Sequence, residues 1–508
     1  MKFKPLAIFL SILFLTSPAL AQEGLRTMFL NNHCVICGIN IRNFNAKDTN
    51  KNGIIDKGEN SKEESGNFIN AIDRLDEIKE LGINTLHVLP ITPVGRLKAL
   101  GTAGSLYSIS DFTSINEQLV DKNSKLNGLE QAKLFIDECH KRGIKVIIDL
   151  PSCGSYDLFL TRPELFIKDD KQLSVVPTDW TDVRLLKTGN NKKLNQDLIE
   201  EHKKFVDMVM NIGADGIRAD VATIKPAKFW EEIIAYSRAK NPEFLYLAEA
   251  SDSWREPPSQ YAEFTPYDKL LEAGFDGYYG SFFELKDWKT STQLTEHVKF
   301  NKKLLNSYSE GKSAILSFTT HDEVSPVILH GINFSDMICW LEATLPFNPY
   351  IIDGFQTGDD YIYPLENEKA AYTQTDDDCY FVHRGKLDIF NFSRKPEGKY
   401  NTDYKSAMEF RRKNIDIVTL GNFVPIKTDN ENIFAFARCY EGKTIVVIGN
   451  LDYENEYKKA TIRLSGLNKR RNIEFIKGSN DLRYRMRKIY TDLKAGEIKV
   501  LLIHNFSI

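Results

Sequence analysis

The sequence predicts an α/β protein: a (β/α)8 TIM barrel, with a small excursion after its third strand, followed by a C-terminal antiparallel β-sandwich. Three observations predict this fold. Eight short apolar runs alternate with helical patterns between residues 35 and 352. Acidic residues stand at the carboxyl ends of several of these runs. After residue 417 the pattern changes to short strands separated by Gly, Asn and Asp turns.

Apolar runs place the barrel strands at 35–41, 85–89, 145–149, a run closing at 216–220, 244–249, 275–280, 314–318 and 350–352. A helical period of apolar residues predicts helices from Phe68 to Ile78 and at 129–142, 196–210, 227–239, 292–307, 334–345 and 404–413. The sandwich strands are predicted at 433–439, 444–448, 459–464, 472–476 and 498–504. We therefore expect a barrel domain at 22–417, with the excursion at 151–193, and a sandwich domain at 418–508.

Residues 1–21 have the pattern of a signal peptide. Lys2 and Lys4 precede an apolar run, and Ala19-Leu-Ala21 forms a small-x-small cleavage site. The run is too short for a comfortable transmembrane helix, and no later segment is apolar enough to span a bilayer. We expect a secreted or periplasmic protein, cleaved near Ala21, without a membrane span.

Charge and cysteine content exclude two classes of protein. Without residues 1–21 the chain carries 64 basic and 70 acidic residues. It has no basic patch of the kind that phosphate backbones require, so we expect no nucleic-acid partner. Seven scattered cysteines do not form a disulfide framework. Cys34 and Cys37 either form a disulfide or pack as thiols.

The stretch 48–56 reads Asp-Thr-Asn-Lys-Asn-Gly-Ile-Ile-Asp and is a candidate calcium loop. Oxygen-bearing side chains alternate, and Gly53 permits the sharp turn that such loops need. The candidate ligands of one structural calcium ion are Asp48, Asn50, Asn52, Asp56 and the carbonyl of Ile54. With Glu59 the spacing fits an EF-hand, but a strand and not a helix precedes it, which favours a lone calcium loop. The alternative is a polar surface turn.

The stretch Gly-Ile-Arg-Ala-Asp at 216–220 ends a buried strand with two opposite charges. Arg218 and Asp220 are two residues apart, so on a strand they share one face and can pair. The cation is expected to lower the pKa of Asp220 and keep it ionised, as a nucleophile requires. A structural ion pair is the alternative.

Further acids end other strands: Asp149, Glu249 and Asp322. The carboxyl ends of barrel strands form the active-site mouth in such folds, and acids that converge there repel each other. Retaining glycosidases need a carboxylate nucleophile and a carboxylic acid roughly 5–5.5 Å apart. Burial of Glu249 at the end of an apolar strand would raise its pKa and keep it protonated.

Five motifs, in chain order, resemble glycoside hydrolase family 13, the alpha-amylase family. They are the calcium loop at 48–56, Gly-Ser-Leu-Tyr-Ser-Ile-Ser-Asp at 104–111, Gly-Ile-Arg-Ala-Asp at 216–220, Leu-Ala-Glu at 247–249 and Phe-Thr-Thr-His-Asp at 318–322. The resemblance implies that Asp220 is the nucleophile, that Glu249 is the acid and base, and that Asp322 holds sugar hydroxyls.

The resemblance also implies a set of substrate-binding residues: Tyr107, which stacks on the sugar, with Asp149, Arg218 and His321. By itself, His321 would be interpreted as a core histidine, and its neighbour Asp322 argues against that interpretation. The segment 149–153, Asp-Leu-Pro-Ser-Cys, departs from the family because it lacks the usual Asn-His after its aspartate. This segment, with 90–96 and 224–231, resembles the maltosyltransferase branch, which uses maltose 1-phosphate inside cells. The signal peptide argues against that substrate.

We therefore expect a secreted retaining alpha-glycosidase that acts on alpha-glucans or maltooligosaccharides. A transglycosylase of the same fold is the first alternative. A carbohydrate-binding protein on a disused enzyme fold is the second, and the intact acids at 220, 249 and 322 argue against it.

Overall fold

Eight parallel strands form a closed barrel at the centre of the molecule. The computed structural model describes residues 23–47, 49, 62–99, 104–177, 180–257, 259–358, 402–464, 473–485 and 488–506. The barrel strands are β1 (Ile36–Ile39), β2 (Thr85–Val88), β3 (Lys145–Leu150), β4 (Gly216–Ala219), β5 (Leu245–Ala248), β6 (Gly277–Tyr278), β7 (Ser313–Leu316) and β8 (Asn348–Ile352). Each strand pairs with the next, and β8 pairs with β1. The predicted barrel is confirmed.

Helices lie before, between and after the strands. Those that the structure describes are α1 (Leu25–Leu30), α2 (Ile41–Phe44), α3 (Phe68–Ala71), α4 (Leu75–Glu80), α5 (Gly128–Lys141), α6 (Tyr156–Thr161), α7 (Gln196–Asn211), α8 (Ala227–Arg238), α9 (Tyr267–Glu272), α10 (Ser291–Leu305), α11 (Pro326–Thr344), α12 (Tyr404–Lys413) and α13 (Ile415–Thr419). Helix α11 begins eight residues earlier than predicted. Gly331 has φ 79° and interrupts its helical backbone, so the apolar period becomes regular only after that point.

Helix α1, which the sequence did not indicate, packs against the amino-terminal end of the barrel. Leu25 and Phe29 are buried in a cluster with Ile36, Leu245 and other barrel residues. The Phe29 ring lies against Gly277 of β6, where an added Cβ would be only 2.5 Å from the ring. This end of the barrel is therefore filled by side chains, and the opposite end is left for a site.

The excursion after β3 joins the β2 loop. Its short strand Cys153–Gly154 pairs with Ser108–Ile109 on one side and Arg184–Leu185 on the other. Cys153 and Leu185 are buried in a small cluster with Ile224, which lies just after β4. This packing holds the excursion beside the carboxyl end of β4.

Two antiparallel sheets form the C-terminal region, as predicted. Their strands are β9 (Asn422–Pro425), β10 (Ile433–Tyr440), β11 (Lys443–Asn450), β12 (Tyr457–Arg463), β13 (Ile473–Lys477), β14 (Arg483–Arg485), β15 (Lys488–Leu493) and β16 (Ile498–His504). One sheet has the order β9-β10-β11-β16-β13 and the other β12-β15-β14, and both contribute to one apolar core. Sequence analysis missed β9, β14 and β15. In β15 only alternate residues are buried, so its apolar run is broken by polar residues.

The six cysteines that the structure describes are buried and free, so Cys34 and Cys37 are packed thiols. Burial raises the pKa of Cys34 to about 12. Within the described residues, the helices are all too short or too polar to cross a bilayer.

Candidate active site

The predicted acids lie at the carboxyl ends of the barrel strands. Asp149 is near the end of β3, Asp220 follows β4, Glu249 follows β5, and Asp322 lies in the loop after β7. Parallel strands present these ends on one side of the barrel. Asp149, Asp220 and Glu249 are 0%, 9% and 8% exposed, whereas the Asp322 side chain is 38% exposed.

One buried guanidinium, that of Arg218, joins three of these acids. Its Nη1 donates to Asp149 Oδ1 and Oδ2 at 2.8 and 2.9 Å and to Asp220 Oδ1 at 3.1 Å. Its Nη2 lies 2.8 Å from Glu249 Oε1, and its Nε donates to the Tyr279 hydroxyl at 3.0 Å. Burial alone would lower the pKa of Arg218, but the acids outweigh it and raise the pKa. The planar fork of donors therefore fixes the acids relative to one another.

Asp149 is held ionised. Burial acts to raise its pKa, but Arg218 and His87 lower it to about 2. His87 Nε2 lies 3.3 Å from Asp149 Oδ2, and the Tyr107 hydroxyl donates to the same oxygen at 2.8 Å. His87 Nδ1 lies 2.8 Å from the Tyr350 hydroxyl. Sequence analysis missed His87, whose only signal was a single imidazole within the apolar strand β2.

Asp220 receives a second donor from the segment that lacks Asn-His. The backbone N–H of Ser152 donates to Asp220 Oδ2 at 2.9 Å, and the Ser152 hydroxyl donates to the main-chain carbonyl of Asp220. Burial raises the pKa of Asp220 above its ordinary value, although Arg218 acts in the opposite direction. The expectation that Arg218 lowers the pKa was therefore wrong in its net sign, because the desolvation of a buried carboxyl exceeds the effect of the ion pair.

Glu249 lies beside the backbone that follows Asp220. The N–H of Val221 donates to Glu249 Oε2 at 2.6 Å, and the N–H of Ala222 donates to its main-chain carbonyl at 3.1 Å. Burial raises the pKa of Glu249 to about 8, although Arg218 opposes it. At pH 7 the side chain is therefore mostly a carboxylic acid, which can give up a proton.

Val221 has a left-handed backbone, with φ 33° and ψ 55°. This region is rare for a β-branched residue and costs on the order of 1–3 kcal/mol. The conformation directs the Val221 N–H at Glu249 while its neighbour Asp220 contacts Arg218. The turn thereby connects Asp220 and Glu249.

Tyr107, His321 and Asp322 form the other side of the cluster. The Tyr107 and His321 rings are stacked, with centroids 5.6 Å apart and planes 8° apart. The Tyr107 hydroxyl lies 2.8 Å from His321 Nε2, which in turn lies 3.2 Å from Asp322 Oδ2. These contacts connect Asp322 through two rings to Asp149, so all seven residues predicted for the catalytic and substrate-binding site belong to one network.

The predicted calcium ligands cannot be placed in the same way. All five, from Asp48 to Asp56, lie outside the described residues. In the part of the chain that the structure describes, no group of three or more His, Cys, Asp or Glu side chains is arranged to hold a metal ion.

Comparison with known proteins agrees with the motifs. The family model of the alpha amylase catalytic domain matches residues 42–152. An alpha-1,4-glucan:maltose-1-phosphate maltosyltransferase of Bifidobacterium animalis is 24% identical over 434 residues, covering 79% of this chain and 54% of that protein. Alpha-amylase 3 of Dictyoglomus thermophilum is 23% identical over 454 residues, covering 78% and 84%. The chain thus spans about half the length of the maltosyltransferase.

Among solved structures, an alpha-amylase from Lactobacillus plantarum has a TM-score of 0.70 at 19% identity and covers 94% of this chain and 99% of its own. A maltogenic alpha-amylase from Thermotoga neapolitana has a TM-score of 0.67 at 17% identity. These matches confirm the resemblance to glycoside hydrolase family 13. By fold and sequence, the chain is similar to glycoside hydrolases of the alpha-amylase type.

Proposed function

We propose that the protein is a secreted retaining alpha-glycosidase that acts on alpha-glucans or maltooligosaccharides. One observation carries this proposal. Two buried acids, Asp220 and Glu249, contact the two terminal nitrogens of the same guanidinium, and one of them has a pKa of about 8. A close pair of carboxyl groups, one of them protonated at neutral pH, is what retaining glycoside hydrolysis requires.

In the first step Asp220 Oδ attacks the anomeric carbon while Glu249 transfers its proton to the glycosidic oxygen, which leaves with the bond's electron pair. The product is an ester between the sugar and Asp220. In the second step the Glu249 carboxylate takes a proton from water, whose oxygen displaces Asp220 and restores both acids. Arg218, held by Asp149, keeps the two carboxyl groups in place through both steps.

Transglycosylation is the second candidate, because several relatives are named maltosyltransferases and match more than three quarters of this chain. A sugar hydroxyl would then replace water in the second step. The two candidates share Asp220 and Glu249 and differ only in the acceptor.

Product analysis separates them. The protein is incubated with starch, maltooligosaccharides, isomaltose and trehalose, with and without added maltose, and separately with maltose 1-phosphate. Shorter products that retain the alpha configuration, unchanged by maltose, support the hydrolase. Longer products that grow with maltose support the transglycosylase. A protein that binds the glucans but releases no product from any of them contradicts both.

Two further proposals concern the amino-terminal part of the chain. The sequence at 48–56 supplies carboxylate and amide oxygens with a glycine turn, and these are donors that suit calcium. Bound there, the ion would stabilise the fold by linkage. The signal-peptide pattern supports export with cleavage near Ala21.

A further inference from the structure

Lys225 is a buried lysine beside the candidate nucleophile. It follows the short 3-10 turn Ala222–Ile224 and is 1% exposed. Its own carbonyl accepts from the Thr265 hydroxyl at 2.8 Å, which fixes the backbone at this point. Burial lowers the pKa of Lys225 to about 8, although Asp220 acts in the opposite direction. A fold that keeps an ammonium group out of water gives up solvation, so the group needs a compensating contact.

That contact is the main-chain carbonyl of Ser152, to which Lys225 Nζ donates at 2.9 Å. The same residue, through its N–H, donates to Asp220 Oδ2 at 2.9 Å. Ser152 is thus held from both sides: its carbonyl by the ammonium group and its N–H by the carboxylate. Its hydroxyl adds a third link, to the main-chain carbonyl of Asp220.

We propose that Lys225 is a positioning residue for the nucleophile, which orients Asp220 through Ser152 and adds positive charge near its carboxylate. The proposal rests on the assignment of Asp220 as the nucleophile of a retaining glycosidase. The proposal also gives the segment 149–153 a role, although this segment lacks Asn-His. Its backbone connects the ammonium group of Lys225 to Asp220.

The charges around the two groups determine what removal of Lys225 does. Asp220 faces the Arg218 cation on its own strand and the acids Asp149 on β3 and Glu249 on β5. Lys225 faces the Cys153 thiol on the excursion and, on α7, a histidine, His202. Without the ammonium group, Asp220 keeps Arg218 but loses the second cation that acts on it, so its carboxyl should protonate at higher pH.

The test compares wild type with Lys225→Met, which removes the charge, and Lys225→Arg, which keeps it. Lys228→Met is the matched control, because Lys228 lies three residues away, is 61% exposed and pairs only with Glu231 among the described residues. The glycosylation rate is measured against pH with an alpha-glucosyl fluoride, because the departure of fluoride needs little protonation. The fall of this rate at low pH, the acid limb of the pH–rate profile, then reports the protonation of Asp220 and not that of Glu249.

For Lys225→Met we expect the acid limb to move to higher pH by about half a unit to one unit. We also expect kcat to fall about 10- to 100-fold with little change in KM, because the nucleophile is misplaced and not the substrate. Lys225→Arg should restore the position of the limb, and Lys228→Met should match wild type. A lysine that only supports the fold would lower the melting temperature without moving the limb, and that result overturns the proposal. The proposal is also overturned if the acid limb of Lys225→Arg moves as far as that of Lys225→Met.

If Lys225→Met does not fold, Lys225→Gln keeps a hydrogen-bond donor without the charge and replaces it in the comparison. The pKa of Asp220 is also measured without substrate, by 13C NMR of carboxyl-labelled aspartates, with Asp220→Asn to assign the signal. A wild type that turns over no glucosyl fluoride contradicts the proposed function. The NMR titration still decides the proposal in that case, since an Asp220 pKa unchanged by loss of the ammonium group overturns it.

Discussion

The proposed acid role of Glu249 gives the sharpest prediction. With a pKa of about 8, about nine-tenths of the molecules carry the proton at pH 7; at the ordinary value of 4.5, fewer than about one in a hundred would. Burial raises the pKa of Glu249 and is therefore the reason that most molecules carry the acidic proton at neutral pH. Glu249→Gln removes this proton while keeping the size of the side chain. General acid catalysis contributes about 10²–10⁴-fold, or about 3–5 kcal/mol, so kcat/KM for maltooligosaccharides should fall by that factor.

The assay compares a natural glucan with a glucosyl fluoride. In wild type, kcat/KM for the glucan should fall about tenfold per pH unit above roughly pH 8, because the acid is lost there. The fluoride should lack this basic limb, and with Glu249→Gln its first step should remain fast while the glycosyl-enzyme accumulates. Glu272→Gln, at an exposed position that is 53% accessible, is the control. Equal losses on both substrates, or a sugar mapped by mass spectrometry to a residue other than Asp220, would refute the reasoning.

Four other predictions follow from the same structure. Asp220→Ala should lower kcat by several orders of magnitude while the protein still folds, as measured by single-turnover kinetics and calorimetry; substantial residual activity would contradict a nucleophile. The ionised, buried Asp149 should contribute about 2 kcal/mol of stability above pH 4 that is lost as the pH falls towards 2, and Asp149→Asn should remove that dependence in denaturant titrations. A chelator should lower the melting temperature, and Asp48→Ala should abolish that sensitivity. If the chelator does not change the wild-type melting curve, the stretch 48–56 is only a turn. Amino-terminal sequencing of exported protein should begin near Gln22, and an intact start on a cytosolic species would contradict export.

The barrel could be predicted because each strand and helix leaves a local period in the sequence. The same holds for Arg218 and Asp220, whose spacing of two puts both on one face of β4. The elements that sequence analysis missed depend on contacts between residues that are distant in sequence. Helix α1 is short, and its helical apolar period is confined to one turn, yet Phe29 packs against β6 at Gly277. In strand β15 only alternate residues are buried and one of these is the polar Thr491, so the sheet that the strand joins determines its place.

Within the site, the sequence indicated which acids meet and that the pKa of Glu249 is raised, but not that the pKa of Asp220 is raised as well. A pKa depends on the balance between burial and partners, and neither is visible in a motif. Asp149 and Asp220 contact the same nitrogen of Arg218, yet the pKa of Asp149 is lowered and that of Asp220 is raised. Asp149 has two further partners, His87 and Tyr107, which come from β2 and its loop. Only the closed barrel brings these residues together.

The altered segment 149–153 shows why a missing motif need not mean a missing function. Its side chains lack the amide and imidazole usual in the alpha-amylase family, but its main chain has an N–H at the position of Ser152, and that N–H contacts Asp220 at 2.9 Å. Backbone donors depend on the path of the chain and not on residue type, so sequence comparison does not detect them. The path here is fixed by the pairing of Cys153–Gly154 with neighbouring strands and by the contact of Lys225 with the Ser152 carbonyl. The departure at 149–153 therefore bears on how Asp220 is held, while the pair formed by Asp220 and Glu249 on Arg218 stays complete.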